Sequence, residues 1–153
     1  MKQSRKTVLF FILTLCWTGV IFSFSLQPAT ASAELSGGIL SRLLELMFQL
    51  TGIRIPPDMI HNLFRKVAHF GEFFILGGFA SLWLKNAKKP WLMPLFYCGS
   101  IALLDECLQF ITGEGRAMRI LDMGIDIFGA FAGILLINLV FYQFFRKRSK
   151  KIV

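Results

Sequence analysis

The chain has 153 residues, of which 55% are hydrophobic and 17% are charged, and it contains 17 phenylalanines. Ordinary soluble domains are about 25% charged, so this composition excludes a typical soluble protein and indicates a small integral membrane protein. The net charge of +8 needs no nucleic-acid partner, because the cations flank apolar runs and do not form one aromatic-rich face.

The first apolar run predicts a membrane-spanning helix at roughly residues 7–26. The alternative is a cleaved signal peptide, because the small residues Ala31 and Ala33 follow the run. The run is about 20 residues long, whereas the apolar core of a signal peptide usually has ~7 to 15. We therefore favour an uncleaved first helix.

The segment at roughly residues 36–51 predicts an amphipathic helix in the first outer loop. Its apolar residues recur with helical spacing, and Arg42 and Glu45 lie among them. We expect this helix to lie on the outer membrane surface as a lid packed on the bundle. The alternative is an element that gates a lateral opening to lipid. Pro56 and Pro57 then stop the helix before the second span.

Three further apolar runs, at roughly residues 67–84, 91–111 and 120–145, complete the predicted fold. No run alternates with the period of a barrel strand, so helices are the remaining way to cross lipid. The predicted fold class is all-α: a polytopic four-transmembrane-helix bundle with one amphipathic surface helix, forming a single domain over residues 1–153.

The distribution of lysine and arginine predicts the orientation of these spans. Eleven of the 17 cations lie in three segments that contain no acidic residue, and such segments stay on the cytoplasmic side. Both termini are therefore predicted to be cytoplasmic. The eleven cations are Lys2, Arg5, Lys6, Lys85, Lys88, Lys89, Arg146, Lys147, Arg148, Lys150 and Lys151.

The fourth span carries a stripe of acidic and small residues. Asp122, Asp126, Gly129 and Gly133 are spaced by four, three and four positions, so they share one helical face. The glycines form a small-xxx-small pattern, which is typical of close helix contacts in membranes. This stripe is therefore predicted to face protein rather than lipid.

The second and third spans carry matching polar stripes. In the second span, Arg65, His69 and Glu72 share one face, and in the third span Asp105 and Gln109 do so. Glu72, Asp105 and Asp126 each lie six or seven residues inside the outer end of their helix, or roughly 10 Å. Ionisable groups at such depth usually line a cavity or pair with each other. We therefore predict one outward-facing polar cavity.

Several of these stretches resemble the signature blocks of the VanZ-like family of small bacterial membrane proteins. The resemblance implies a role in the cell envelope of bacteria, associated with reduced sensitivity to teicoplanin, and it implies no agreed enzymatic reaction. The chain departs from the family pattern at Asp126, where the family usually has Asn, and at residues 113–115. The stretches are FSLQP (24–28), RKVAHFGEFFILG (65–77), DECLQF (105–110) and GRAMRILDMGIDIFGAFAG (115–133).

Two functions are open for the predicted cavity. As a binding protein, it would hold an anionic envelope lipid or lipid-linked precursor, with Lys66 and Arg116 on phosphate. As an enzyme acting on such a lipid, it would use His69 or Glu106 as general base and Arg116 to stabilise charge. A structural polar network is the alternative to both. The candidate ligand-binding residues are Lys66, His69, Glu72, Asp105, Glu106, Gln109, Arg116, Asp122 and Asp126.

A metal site is the remaining interpretation of these side chains. His69 and Glu72 at i+3 could form half of a carboxylate-bridged site, completed by acidic residues of the other spans. Cations near these groups can satisfy the same charges, so neither a metal nor a cofactor is predicted. The expected partners are membrane lipids, in the bacterial cell membrane.

Overall fold

In the computed structural model the described residues form helices joined by turns, which confirms that the chain is all-α. The described part contains no strand. Its four long helices are α1 (Lys2–Ser25), α2 (Pro57–Trp83), α3 (Leu92–Thr112) and α4 (Ile120–Ser149). The described residues are 2–26, 38, 41, 42, 45, 46, 48–52, 56–112 and 119–149.

Three helical stretches are long and apolar enough to cross a membrane: Arg5–Ser25, Leu92–Thr112 and Ile120–Val140. The chain is therefore a multi-pass membrane protein. Among the described helices, α2 does not meet this criterion. Length and hydropathy therefore support three of the four predicted spans. The reason is physical, because His69 and Glu72 lie inside the most apolar part of α2 and lower its hydropathy.

Helix α2 compensates for this polarity by its position in the bundle. It packs against each of the other three long helices and most extensively against α4. Its residues Phe73, Leu76 and Ala80 are fully buried, in one core cluster with Ile21 of α1 and Ala102 of α3. One face of α2 is therefore covered by neighbouring helices rather than by lipid. On such a face, polar side chains cost less free energy than they would in contact with lipid.

Glycines allow α2 and α4 to approach at backbone contact. A Cβ atom added at Gly129 would collide with the carbonyl oxygen of Phe70, and one at Gly133 would collide with that of Phe74. Gly77 of α2 meets the carbonyl oxygen of Ala130 in the same way. The predicted small-xxx-small contact is thus confirmed, and it fixes the polar stripes of the two helices face to face.

The connections place the polar residues at one end of the bundle. Helices α2 and α3 are joined by the short turn over residues 84–91, which contains Lys85, Lys88 and Lys89. The first half of α2, the second half of α3 and the first turns of α4 lie at the opposite end, which we call the polar end. Helix α1 begins at the end of the bundle where this turn lies, because its last residue, Ser25, reaches Asp105 at the polar end.

The described residues between 38 and 51 are helical, as predicted for the amphipathic segment, and they are exposed. This helix ends at Gly52, whose φ of +69° suits glycine and whose N–H donates to the Phe48 carbonyl at 2.8 Å. Most of the predicted apolar face lies outside the described residues. Ala31 and Ala33, on which the signal-peptide alternative rests, lie outside them too. The lid and the signal-peptide alternative therefore remain predictions.

Candidate functional site

A group of buried polar side chains from all four long helices lies at the polar end, and we call it the polar cluster. Six of its members are less than 5% exposed, although they belong to helices that are otherwise apolar. Burying so many polar groups is tolerable only when they satisfy one another or a ligand. The polar cluster comprises Ser25, Arg65, His69, Asp105, Glu106, Gln109, Asp122 and Asp126.

A chain of hydrogen bonds crosses the bundle through five of these residues. Ser25 donates to Oδ1 of Asp105, and the Gln109 amide donates to Oδ2 of the same carboxylate at 2.8 Å. The amide oxygen of Gln109 accepts from Arg65 at 3.3 Å. Arg65 also forms an ion pair with Asp122 at 2.9 Å. The chain thus ties α1, α2, α3 and α4 together.

A second contact joins α2 and α4 deeper in the polar cluster. Nδ1 of His69 lies 3.1 Å from Oδ1 of Asp126, whose side chain is fully buried. The other oxygen of that carboxylate, Oδ2, has no hydrogen-bond partner among the described residues. Such an orphaned acceptor is costly in an apolar surrounding and therefore requires an explanation.

Glu106 lies against the first turn of α4. Its Oε2 accepts the backbone N–H of Arg119 at 2.8 Å, one of the donors that a helix leaves unpaired at its N-terminus. Its Oε1 is buried and has no hydrogen-bond partner among the described residues. Glu106 therefore presents an acceptor to the site, near the favourable positive end of the α4 dipole.

The charge of the site is uneven. Four carboxylates are buried in the polar cluster, and Arg65 is its one arginine or lysine; its side chain is 31% exposed and already pairs with Asp122. Lys66 and Arg119 are exposed at the same level. The site therefore combines an acidic interior with a basic rim, consisting of Lys66 and Arg119.

Comparison with known families identifies the chain. The VanZ/LLP1 family profile matches residues 10–142, which include the whole polar cluster. The chain belongs to the VanZ/LLP1 family. Comparisons with curated proteins and with solved structures give no significant match.

Most of the candidate ligand-binding residues predicted from the sequence meet in the structure. Of the nine candidates, six belong to the polar cluster. Glu72 is half-buried beside them, its carboxylate has no hydrogen bond to a described residue, and its backbone carbonyl accepts the indole N–H of Trp17 at 2.9 Å. Lys66 is exposed on the rim, and Arg116 lies outside the described residues. The six are His69, Asp105, Glu106, Gln109, Asp122 and Asp126.

Two members of the polar cluster were missing from the candidate residues. Arg65 lies four positions before His69 and shares its stripe. This spacing indicates that Arg65, and not Lys66, faces the interior of the bundle. Ser25 had only the VanZ-like stretch FSLQP as a signal. Nothing in the spacing of α1 shows that Ser25, rather than Ser23 two residues before it, would donate to a buried aspartate of α3.

Proposed function

We propose that this VanZ-like protein crosses the bacterial cell membrane four times, with both termini in the cytoplasm and the polar end facing outward. Three observations support the arrangement. The basic segments at residues 2–6 and 85–89 share one end of the bundle, as expected for the cytoplasmic side. Helix α2 runs beside three apolar helices, and the polar cluster lies at the other end.

We propose that the polar end binds the head group of an envelope lipid or lipid-linked precursor, one that carries both phosphate and hydrogen-bond donors. The observation that carries this proposal is Oε1 of Glu106, which is buried and has no partner within the described part of the chain, while the other oxygen of this carboxylate contacts the backbone of the rim residue Arg119. The rim cations suit phosphate, while the inner carboxylate suits hydroxyl, amine or amide donors. A purely anionic group without donors would not satisfy Glu106.

The alternative of a purely structural network explains fewer of the contacts. A network that serves only to join helices pairs each buried acceptor, as the Ser25, Asp105 and Gln109 chain does. Oε1 of Glu106 has no partner among the described residues, although its other oxygen accepts the backbone N–H of Arg119 at 2.8 Å. A ligand that donates to this oxygen removes the cost of leaving it unpaired, which is about 1 to 3 kcal/mol.

The proposal is tested by lipid binding to the purified full chain in detergent. Phosphatidylglycerol offers phosphate and hydroxyl donors, whereas phosphatidylcholine offers phosphate without donors. We expect native mass spectrometry to show retention of phosphatidylglycerol in preference to phosphatidylcholine. The double substitution Lys66→Gln and Arg119→Gln should weaken that binding by roughly tenfold per lost charge-assisted contact.

The matched control is Lys88→Gln, which removes an exposed cation at the opposite end and should leave binding unchanged. Glu106→Gln should reduce the preference for phosphatidylglycerol over phosphatidylcholine. Equal binding of the two lipids, or insensitivity to the rim substitutions, would refute the head-group proposal. In cells we expect the wild-type protein, but not the rim variant, to lower sensitivity to teicoplanin-type glycopeptides.

The contact between His69 and Asp126 favours a second candidate, a membrane-embedded enzyme. A carboxylate at 3.1 Å from the imidazole can orient it as a general base acting on a lipid-linked substrate. Conversion of added lipid-linked substrate, followed by mass spectrometry, distinguishes the two functions. An enzyme should lose turnover in His69→Gln while it keeps lipid binding, whereas a binding protein shows no turnover at all.

A further inference from the structure

The inner part of the polar cluster brings three potential metal ligands together. Ligand atoms of His69, Asp105 and Asp126 all lie within 4.8 Å of one another, and each residue comes from a different helix. One imidazole with two carboxylates is a donor set that suits Zn²⁺, Mn²⁺ or Fe²⁺. Mg²⁺ and Ca²⁺ prefer sets made entirely of oxygen.

The spacing of the closest pair fits ligands of one ion. Nδ1 of His69 and Oδ1 of Asp126 lie 3.1 Å apart. Ligands bound at ~2.1 Å to a tetrahedral or octahedral ion are about 3.0 to 3.4 Å from their nearest neighbours. Oδ2 of Asp126, fully buried and without a partner among the described residues, offers a further acceptor at the same place.

The hydrogen bonds around Asp105 match those that orient a metal ligand. Ser25 and Gln109 donate to its two oxygens, and both donors are themselves buried. Each carboxylate oxygen keeps a lone pair for an ion. Neighbours of this kind hold ligating carboxylates in place, and losing them typically weakens metal binding 10- to 100-fold.

The charge balance also points to a cation. Arg65 pairs with Asp122, so His69 is the one basic side chain in contact with Asp126 within the described ranges. Glu72 interacts electrostatically with the same histidine and aspartates. Carboxylates facing one imidazole in a low-dielectric interior must share protons or bind a cation. A divalent ion neutralises two of them.

From this geometry we propose that His69, Asp105 and Asp126 bind one divalent transition-metal ion, of the Mn²⁺ or Zn²⁺ class, inside the bundle. Glu72 interacts electrostatically with the three ligands, but it is not among the side chains whose ligand atoms meet there. This inference goes beyond head-group binding and does not depend on it, because the residues that carry the two proposals are different. It also departs from the sequence-based expectation that no metal is bound.

The test uses the full chain in detergent, freed of any polyhistidine tag and stripped with EDTA. The protein is incubated separately with Mn²⁺, Zn²⁺ and Mg²⁺, desalted and assayed for bound metal by elemental analysis. We expect about one Mn²⁺ or Zn²⁺ per chain and less than a tenth as much Mg²⁺. Saturating Mn²⁺ or Zn²⁺ should raise the thermal unfolding midpoint by a few degrees, and EDTA should reverse the shift.

Variants on α2 and α4 assign the ligands. Asp126→Asn and His69→Gln should weaken binding at least tenfold, whereas Asp122→Asn, one turn from Asp126 but paired with Arg65, should retain it. The proposal is overturned if the wild-type protein holds no Mn²⁺ or Zn²⁺ after desalting and shows no shift of its midpoint. Equal loss of metal in Asp122→Asn and Asp126→Asn would overturn it as well. The wild-type titration decides the question even if a variant fails to fold.

Discussion

Arg65 and Lys66 are neighbours in the chain and carry the same charge, yet their surroundings differ. Arg65 reaches into the polar cluster and binds Asp122 and Gln109, whereas Lys66 is exposed. Successive residues of a helix point about 100° apart, so one faces the neighbouring helices and the other does not. The stability of the bundle should therefore depend on one of these cations alone.

We predict that Arg65→Gln lowers the free energy of unfolding by about 2 to 3 kcal/mol. It leaves the carboxylate of Asp122 buried without its ion-pair partner, and the loss stays below the ~3 to 5 kcal/mol of fully buried pairs because Arg65 is partly solvated. Unfolding of the purified protein by a denaturing detergent measures the change. Lys66→Gln and Arg119→Gln should each change stability by less than about 0.5 kcal/mol.

Ser25 offers a second prediction for a single side chain. Ser25→Ala removes the donor to Oδ1 of buried Asp105, and a hydrogen bond to a charged group contributes about 1.5 to 3 kcal/mol. We expect a loss of that size in the same unfolding assay. Ser23→Ala is the matched control, because Ser23 is exposed and its hydroxyl donates to a carbonyl of its own helix, with no other bond among the residues that the structure describes. A cost as large at Ser23 would show that the bond to Asp105 is not the cause.

Among the helices, the contact between α2 and α4 depends on the absence of a few side chains. Gly133→Ala would push a methyl group into the backbone of Phe74, so the two helices must separate. We predict a loss of about 1 to 3 kcal/mol, as for other overpacked sites, together with weaker metal or lipid binding at the polar end. Gly124→Ala in the same helix meets nothing within 4 Å and should be neutral or slightly stabilising. Equal losses at both positions would contradict this account.

The helices show which features the sequence could predict. The spans predicted at 91–111 and 120–145 correspond closely to α3 and α4, because long apolar runs determine them. The stripe of Asp122 and Asp126 could also be predicted, since helical period alone puts both on one face. Which stripes contact each other could not be predicted, because the helical period shows which residues share a face but not which neighbouring helix that face meets. Contacts such as Ser25 with Asp105 therefore required the structure.

For the molecule as a whole, we predict the topology from the ends of the helices. In a cysteine-free background, a single cysteine at Thr112 should react with a membrane-impermeant maleimide from outside intact cells. One at Lys88 should react only after the cells are permeabilised, since the turn over residues 84–91 belongs to the basic end. If α2 does not cross, α3 and α4 are inverted relative to our proposal and the labelling pattern reverses.

The central position of α2 also has a consequence for biogenesis. Arg65, Lys66 and Glu72 make this helix a poor substrate for insertion on its own, because each charge costs up to ~2.5 to 3.5 kcal/mol in a translocon-inserted helix. Helix α4, against which α2 packs most extensively, is synthesised last among the described helices. At ~5 to 20 residues per second, it follows α2 by seconds. We therefore expect a nascent chain ending at Thr112 to hold α2 at the membrane surface. Release of α4 from the ribosome would then draw α2 into the membrane, so that the polar end is assembled only after α4 has been synthesised.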